Sequence, residues 1–177
     1  MLLDPVLCGR WRRRLETIVF VASPTPNSPV IPASEGYVKP LPGGFSIYFN
    51  ADAARLRIIR DVTTRVLRAA GAGAETCENA RLIVSELIGN CVRACGDGVP
   101  VVVDIEVEPT GVWIRVHDPE SRRLPTPSRT AMDDPAAETG RGLGLVDLLA
   151  PGRRVVPTAV GKQIVCRLPR SPGERAA

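Results

Sequence analysis

The sequence predicts an α+β fold: a two-layer sandwich with a mainly antiparallel mixed sheet and helices on one face. Three observations lead there. Two segments with helical apolar spacing, about 50–70 and 74–95, follow one another directly. Short β-rich runs flank them at Phe45–Phe49, Val99–Val107, Val112–His117, Arg153–Val156 and Gln163–Leu168. The resulting order, β-α-α-β-β-loop-α-β-β, places helices over one side of a sheet made mostly of hairpins.

Residues 1–44 read as a Pro-rich arm. Its first part, about 1–22, has no clear period and could be a docking helix, a leader, or translation from an incorrectly assigned start. Residues 23–44 hold Pro24, Pro26, Pro29, Pro32, Pro40 and Pro42, which remove backbone donors and forbid a helix. The folded domain is expected over 45–170, followed by a tail at 171–177. Asn50 or Asp52 caps the first helix, whose stripe is Ala54, Ile58, Val62, Val66 and Ala69, with Gly71 and Gly73 ending it. The second helix buries Cys77, Ala80, Val84, Leu87, Ile88, Cys91 and Cys95. Gly96-Asp97-Gly98 turns the chain into a hairpin closed at Glu108-Pro109-Thr110-Gly111. A long loop with four prolines spans 119–139, a length that points to function in a compact domain. A short helix, Leu143–Leu149, ends at Pro151-Gly152 before the last strand pair.

The 177 residues suit one domain, and 44% hydrophobic with 24% charged residues is an ordinary soluble mix. The net charge of +4 is modest and is shared equally: residues 1–44 hold five Lys/Arg against three acids, and beyond residue 44 there are 18 Lys/Arg against 16 acids. So neutral a body fits protein and nucleotide partners better than direct nucleic-acid binding. Arg10 and Arg12–Arg14 are the only cluster favouring the latter. Five cysteines without a CxxC pair, three of them on one helix stripe, read as buried thiols. The one histidine, His117, has no cysteine at zinc-ligand spacing and should face away from Asp118 as a structural residue. No apolar run spans a membrane, and the short apolar stretch after Arg14 is a poor signal peptide, so a cytoplasmic protein is expected.

Three segments carry chemistry. Glu86 and Asn90 are one helical turn apart and share a face at the edge of the apolar stripe. An amide oxygen suits Mg²⁺, and a carboxylate one turn away suits a general base. Such a pair is also common on exposed helices. Gly89, costly in mid-helix, leaves room for a neighbour's close approach. Asp118 ends an apolar strand, where it can accept from the amine of adenine or simply start a turn. Gly140-Arg141-Gly142-Leu143-Gly144 opens a helix, where free N–H groups and the dipole attract phosphate. Its spacing is neither that of a P-loop nor that of a dinucleotide fingerprint, and Gly161-Lys162-Gln163 does not substitute for one. Arg122, Arg123 and Arg129 could close over polyphosphate or remain solvated.

With these segments placed, the chain resembles the GHKL ATPase superfamily of gyrase, heat-shock chaperone, histidine kinase and mismatch-repair ATPases. Within it, the chain is most similar to the anti-sigma-factor serine kinases of bacteria. The matching motifs are Ser85-Glu86-Leu87-Ile88-Gly89-Asn90, Val116-His117-Asp118-Pro119 and Thr139-Gly140-Arg141-Gly142-Leu143-Gly144-Leu145-Val146-Asp147, with Gly161–Val165 as the closing strand. The resemblance implies the GHKL fold and ATP with Mg²⁺. It implies Asn90 on the metal, Glu86 as catalytic base and Asp118 on adenine. Gly140, Arg141, Gly142, Leu143 and Gly144 would then lie under the phosphates. It further implies a serine/threonine protein kinase in transcription regulation, with a sigma factor and an anti-anti-sigma protein as partners, and a homodimer. The sequence departs from the pattern in three places. Gly89 stands where Thr is common, the motif histidine is absent after Asn90, and Pro119-Glu120 replaces a glycine. These departures frame the alternative, a non-catalytic nucleotide-binding interaction module.

Overall fold

Alternation in the strand sequences sends every second residue to one face, and in the computed structural model that face is the core. The structure describes residues 36–41, 43–120 and 141–169. Six strands form one sheet: β1 (Gly36–Leu41), β2 (Gly44–Ala51), β3 (Val99–Glu108), β4 (Gly111–Asp118), β5 (Arg154–Thr158) and β6 (Gly161–Pro169). Their order is β1-β2-β3-β4-β6-β5, and every neighbouring pair is antiparallel. Three helices complete the described fold: α1 (Ala53–Ala69), α2 (Ala74–Cys95) and α3 (Arg141–Leu149). The α+β architecture is therefore as expected, with no parallel pair in the described sheet.

The register sets the core. Ile47, Val103, Val116 and Ile164 form one cross-strand row, and Phe45, Ile105, Ile114 and Cys166 the next; all eight are buried. The middle of α2 packs on these rows through Ile83, Val84, Leu87 and Ile88, each with 0% exposure. A helix apolar on so wide an arc must be covered on two sides, by the sheet and by α1 and α3. Arg60 and Ser85 strengthen the α1–α2 seam: Arg60 Nε donates to Ser85 Oγ at 2.6 Å, and that hydroxyl donates to the Arg81 carbonyl at 2.7 Å.

Two expectations change, and one choice left open is settled. Gly36–Leu41 was assigned to the 1–44 arm, yet it is a strand paired with β2 from Gly36↔Phe49 to Leu41↔Gly44. Among the described strands β1 is at the edge of the sheet, where Pro40 is tolerated because one side of an edge needs no ladder donor. Gly43 supplies the turn with φ 73°. The domain thus begins at least nine residues before Phe45. The buried stripe of α1 is Ile59, Val62, Thr63 and Leu67, while Ala54 and Ala69 are exposed. Small alanines cannot anchor a face against larger Ile and Leu, which rotate the helix toward themselves. Asp52, not Asn50, is the N-cap, its carboxylate accepting from the Arg55 N–H at 2.8 Å.

The opposite face of the sheet is polar. Arg115 bridges to Glu106 at 2.8 Å, and the guanidinium groups of Arg115 and Arg167 lie 5.6 and 5.8 Å from the Trp113 ring centre. Ser46 donates to Asp104, whose carboxyl is raised above its ordinary value by burial. His117 is on this face, turned away from Asp118 as expected, its Nε2 2.8 Å from Thr158 Oγ1.

Candidate functional site

The segment 86–91 of α2 meets the other two motif segments. Glu86 borders α3: a Cβ added at Gly142 would lie 2.8 Å from Glu86 Cδ and 3.3 Å from Cγ. Glycine at 142 is what lets the Glu86 carboxylate rest against the first turn of α3. One turn further along α2, Cys91 is directed at β4, its Sγ 3.4 Å from Asp118 Oδ2 and 3.1 Å from the Leu87 carbonyl. Asn90 lies between these two contacts. Glu86 and Asn90 are both half-buried, as residues on the border of an apolar stripe should be. Leu143 and Val146 of α3 lie in the core.

Asp118 closes β4 and is 1% exposed. It is not a free acceptor. Lys162 of β6, its partner in the ladder, donates from Nζ to Oδ1 at 3.0 Å and to the Glu120 carbonyl at 2.5 Å. The Glu120 N–H also donates to Oδ1, at 2.8 Å, which makes Pro119-Glu120 a turn held by the aspartate itself. Burial, and then the charge of Asp118, push the Cys91 thiol well above its ordinary value. It therefore stays protonated and can donate to that carboxylate. Gly161 makes the crossing possible. With φ 150°, it has no room for a Cβ, which would stand 2.7 Å from Pro119 Cα.

Asn90 has a divided environment. Its Oδ1 accepts from Arg93 Nη2 at 2.5 Å, and its Nδ2 is buried with no hydrogen-bond partner. The neighbour that Gly89 admits is this same Arg93, whose Nη1 would be 3.3 Å from a Cβ there. Gly140 and the three loop arginines Arg122, Arg123 and Arg129 lie outside the described residues, and the Arg141 side chain is not described.

A family model described as a histidine kinase-like ATPase domain matches residues 49–165. The chain belongs to this family. A search of curated proteins finds no match. In a histidine kinase-like ATPase domain, which is a GHKL-type fold, ATP binding is the common property, usually with Mg²⁺.

The residues present fit that ligand. The orphaned Asn90 Nδ2 needs an acceptor, which phosphate or water oxygen supplies. Asn90 Oδ1 and the Glu86 carboxylate offer hard oxygens, and Mg²⁺ keeps several waters rather than requiring a full protein cage. Sequence reasoning missed Lys162 and Arg93, the chain's own cations at Asp118 and Asn90. Lys162 was findable: Ile164, Cys166 and Leu168 face inward, so strand alternation turns Lys162 inward too.

Among the described residues no helix is long and apolar enough to cross a membrane. Cys91 and Cys166 are buried free thiols.

Proposed function

We propose that this ATPase-family domain is an ATP-dependent regulatory serine/threonine protein kinase. It sequesters a sigma factor and phosphorylates an anti-anti-sigma antagonist. One observation carries the reading: α2 holds Glu86 against Gly142 while its next turn contacts Asp118 through Cys91. A base, an amide oxygen, a phosphate-loop glycine and a base-subsite carboxylate thus belong to one neighbourhood.

In this reading Asp118 takes the adenine amine and the α3 entrance, Gly140–Gly144, takes the phosphates. Asn90 would hold Mg²⁺, which would supply charge neutralisation at the phosphates. Glu86 accepts the proton of the antagonist's Ser or Thr hydroxyl as that oxygen attacks the γ-phosphorus. ADP leaves with the electrons of the broken P–O bond. The test is incubation with Mg-ATP and the cognate antagonist. Phosphoprotein is expected, with transfer lost in Glu86→Ala. Absence of transfer to every antagonist tested would overturn the kinase. Affinity capture with mass spectrometry, in ADP and in ATP, tests the two partners.

A second reading is favoured by a specific observation. Lys162 already serves Asp118, and Arg93 already serves Asn90. Both fit a non-catalytic module that binds nucleotide only to switch its contacts with a transcription partner. Calorimetry detecting ATP binding, together with no transfer and no hydrolysis, distinguishes it from the kinase.

A further inference from the structure

The inner face of β6 runs Lys162, Ile164, Cys166 and Leu168, and that of β4 runs Asp118, Val116, Ile114 and Val112. Three of the four cross-strand pairs are wholly apolar or thiol. The fourth is an ion pair with side chains 7% and 2% exposed. An ammonium and a carboxylate lose several kcal/mol each on leaving water, and an apolar pair of similar volume holds two strands at least as well. Joining β4 to β6 therefore does not require this chemistry. The pair is also incompletely saturated. Lys162 Nζ uses two of its three donors, on Asp118 Oδ1 and the Glu120 carbonyl. Asp118 spends Oδ1 on Lys162 and on the Glu120 N–H, and Oδ2 meets only the weak Cys91 donor. Among the described residues, Asp118 Oδ2 has no strong donor and one charged N–H of Lys162 has no acceptor. The residue next to Cys91, Asn90, has a buried Nδ2 without a partner. Two adjacent sites thus have hydrogen-bonding capacity that the described chain does not use.

We infer that Lys162 is a specificity-determining residue of the base subsite. It supplies a donor beside the Asp118 acceptor, so that the base is read at two neighbouring atoms. This rests on the reading of Asp118 as the base acceptor and deepens it. A purine with an amine at C6 and an unprotonated N1 matches both: the amine donates to Asp118 Oδ2, and N1 accepts from Nζ. Guanine or hypoxanthine in the same pose presents a carbonyl to the carboxylate and N1–H to the ammonium, a mismatch at each atom. The chemistry selected is a 6-aminopurine nucleotide, with N1 recognised directly by a cation.

The test titrates the full chain with ATP, with 1-deaza-ATP, in which C–H replaces N1, and with purine riboside triphosphate, which lacks the amine. A charged hydrogen bond lost from a buried site should weaken 1-deaza-ATP by about tenfold or more against ATP. In Lys162→Met that discrimination should fall to about twofold or less, while the penalty for losing the amine persists. If the wild-type chain binds ATP and 1-deaza-ATP within about twofold, the pair is a structural tie and the inference fails, with ATP binding intact. If ATP itself does not bind, the reading of the site fails and takes the inference with it. The wild-type comparison needs no variant. Lys162→Thr provides a second background should the methionine variant lose its circular-dichroism signature.

Discussion

Two cross-strand rows on the same face of β4 and β6 have opposite characters. Ile114 and Cys166, continued by Ile105 on β3, make a row that is fully buried and held by contact alone. Four residues along β4, Asp118 and Lys162 are just as enclosed, and are held by charge and hydrogen bonds. The first row is indifferent to direction and sensitive to volume. The second is the reverse, since each partner needs the other at a particular atom. Within one sheet, then, the middle supplies the fold and the end supplies the proposed site.

The largest effect should come from breaking the polar row. Asp118→Ala leaves a buried ammonium unpaired and should cost about 3–5 kcal/mol in urea unfolding, with ATP binding lost. The double variant Asp118→Leu/Lys162→Met should recover most of that stability without recovering binding. A single variant costing under about 1 kcal/mol would break the comparison. The apolar row comes next. Ile114→Ala should lose about 2–5 kcal/mol through its cavity. The molecules that remain folded should bind ATP within about twofold of wild type, because the deletion lies away from the site.

A smaller effect separates positioning from stability. In Gly142→Ala the new methyl meets the flexible end of Glu86 rather than backbone, so the carboxylate moves and the fold does not. Phosphoryl transfer should drop about tenfold, while the unfolding midpoint shifts by no more than about 1 kcal/mol. An unchanged rate would remove Glu86 from the chemistry. The smallest effect is a pH slope in the apolar row. Burial raises the Cys166 thiol from 9.0 to about 12. The folded chain thus holds that proton more tightly than the unfolded chain. The contribution is complete below pH 9 and is lost as pH climbs toward 12. Cys166→Val should relieve this loss, by on the order of 1 kcal/mol near pH 9.5, read by denaturation at matched pH values. Cys91, raised in the same direction, leaves a residual slope in the variant.

Much of the architecture was legible because long periodic segments announce themselves. The second helix was expected at 74–95 and is Ala74–Cys95, since its stripe of Cys, Ala, Val, Leu and Ile leaves no second orientation. The β3–β4 hairpin was equally plain from its turn residues. β1 was not, because Gly36, Pro40 and the prolines before them read as linker; only pairing with β2 makes that stretch a strand. The candidate site divides likewise. Glu86, Asn90, Asp118 and Gly142 were visible as motif residues. Lys162 and Arg93 were not, because their importance comes from position across the sheet or one turn along the helix, beside a group already chosen. Gly140 and the 121–139 segment lie outside the described residues.

The lysine–aspartate pair also bears on how this polypeptide matures. Many cofactor proteins strand a naked charge in the interior until the cofactor arrives, and so depend on its supply to ripen. Here the enclosed acid is neutralised by the chain from the moment the last strand docks. At this acid, then, no ligand is needed to balance the interior charge, and a purine that arrives later comes as a visitor, not as scaffolding.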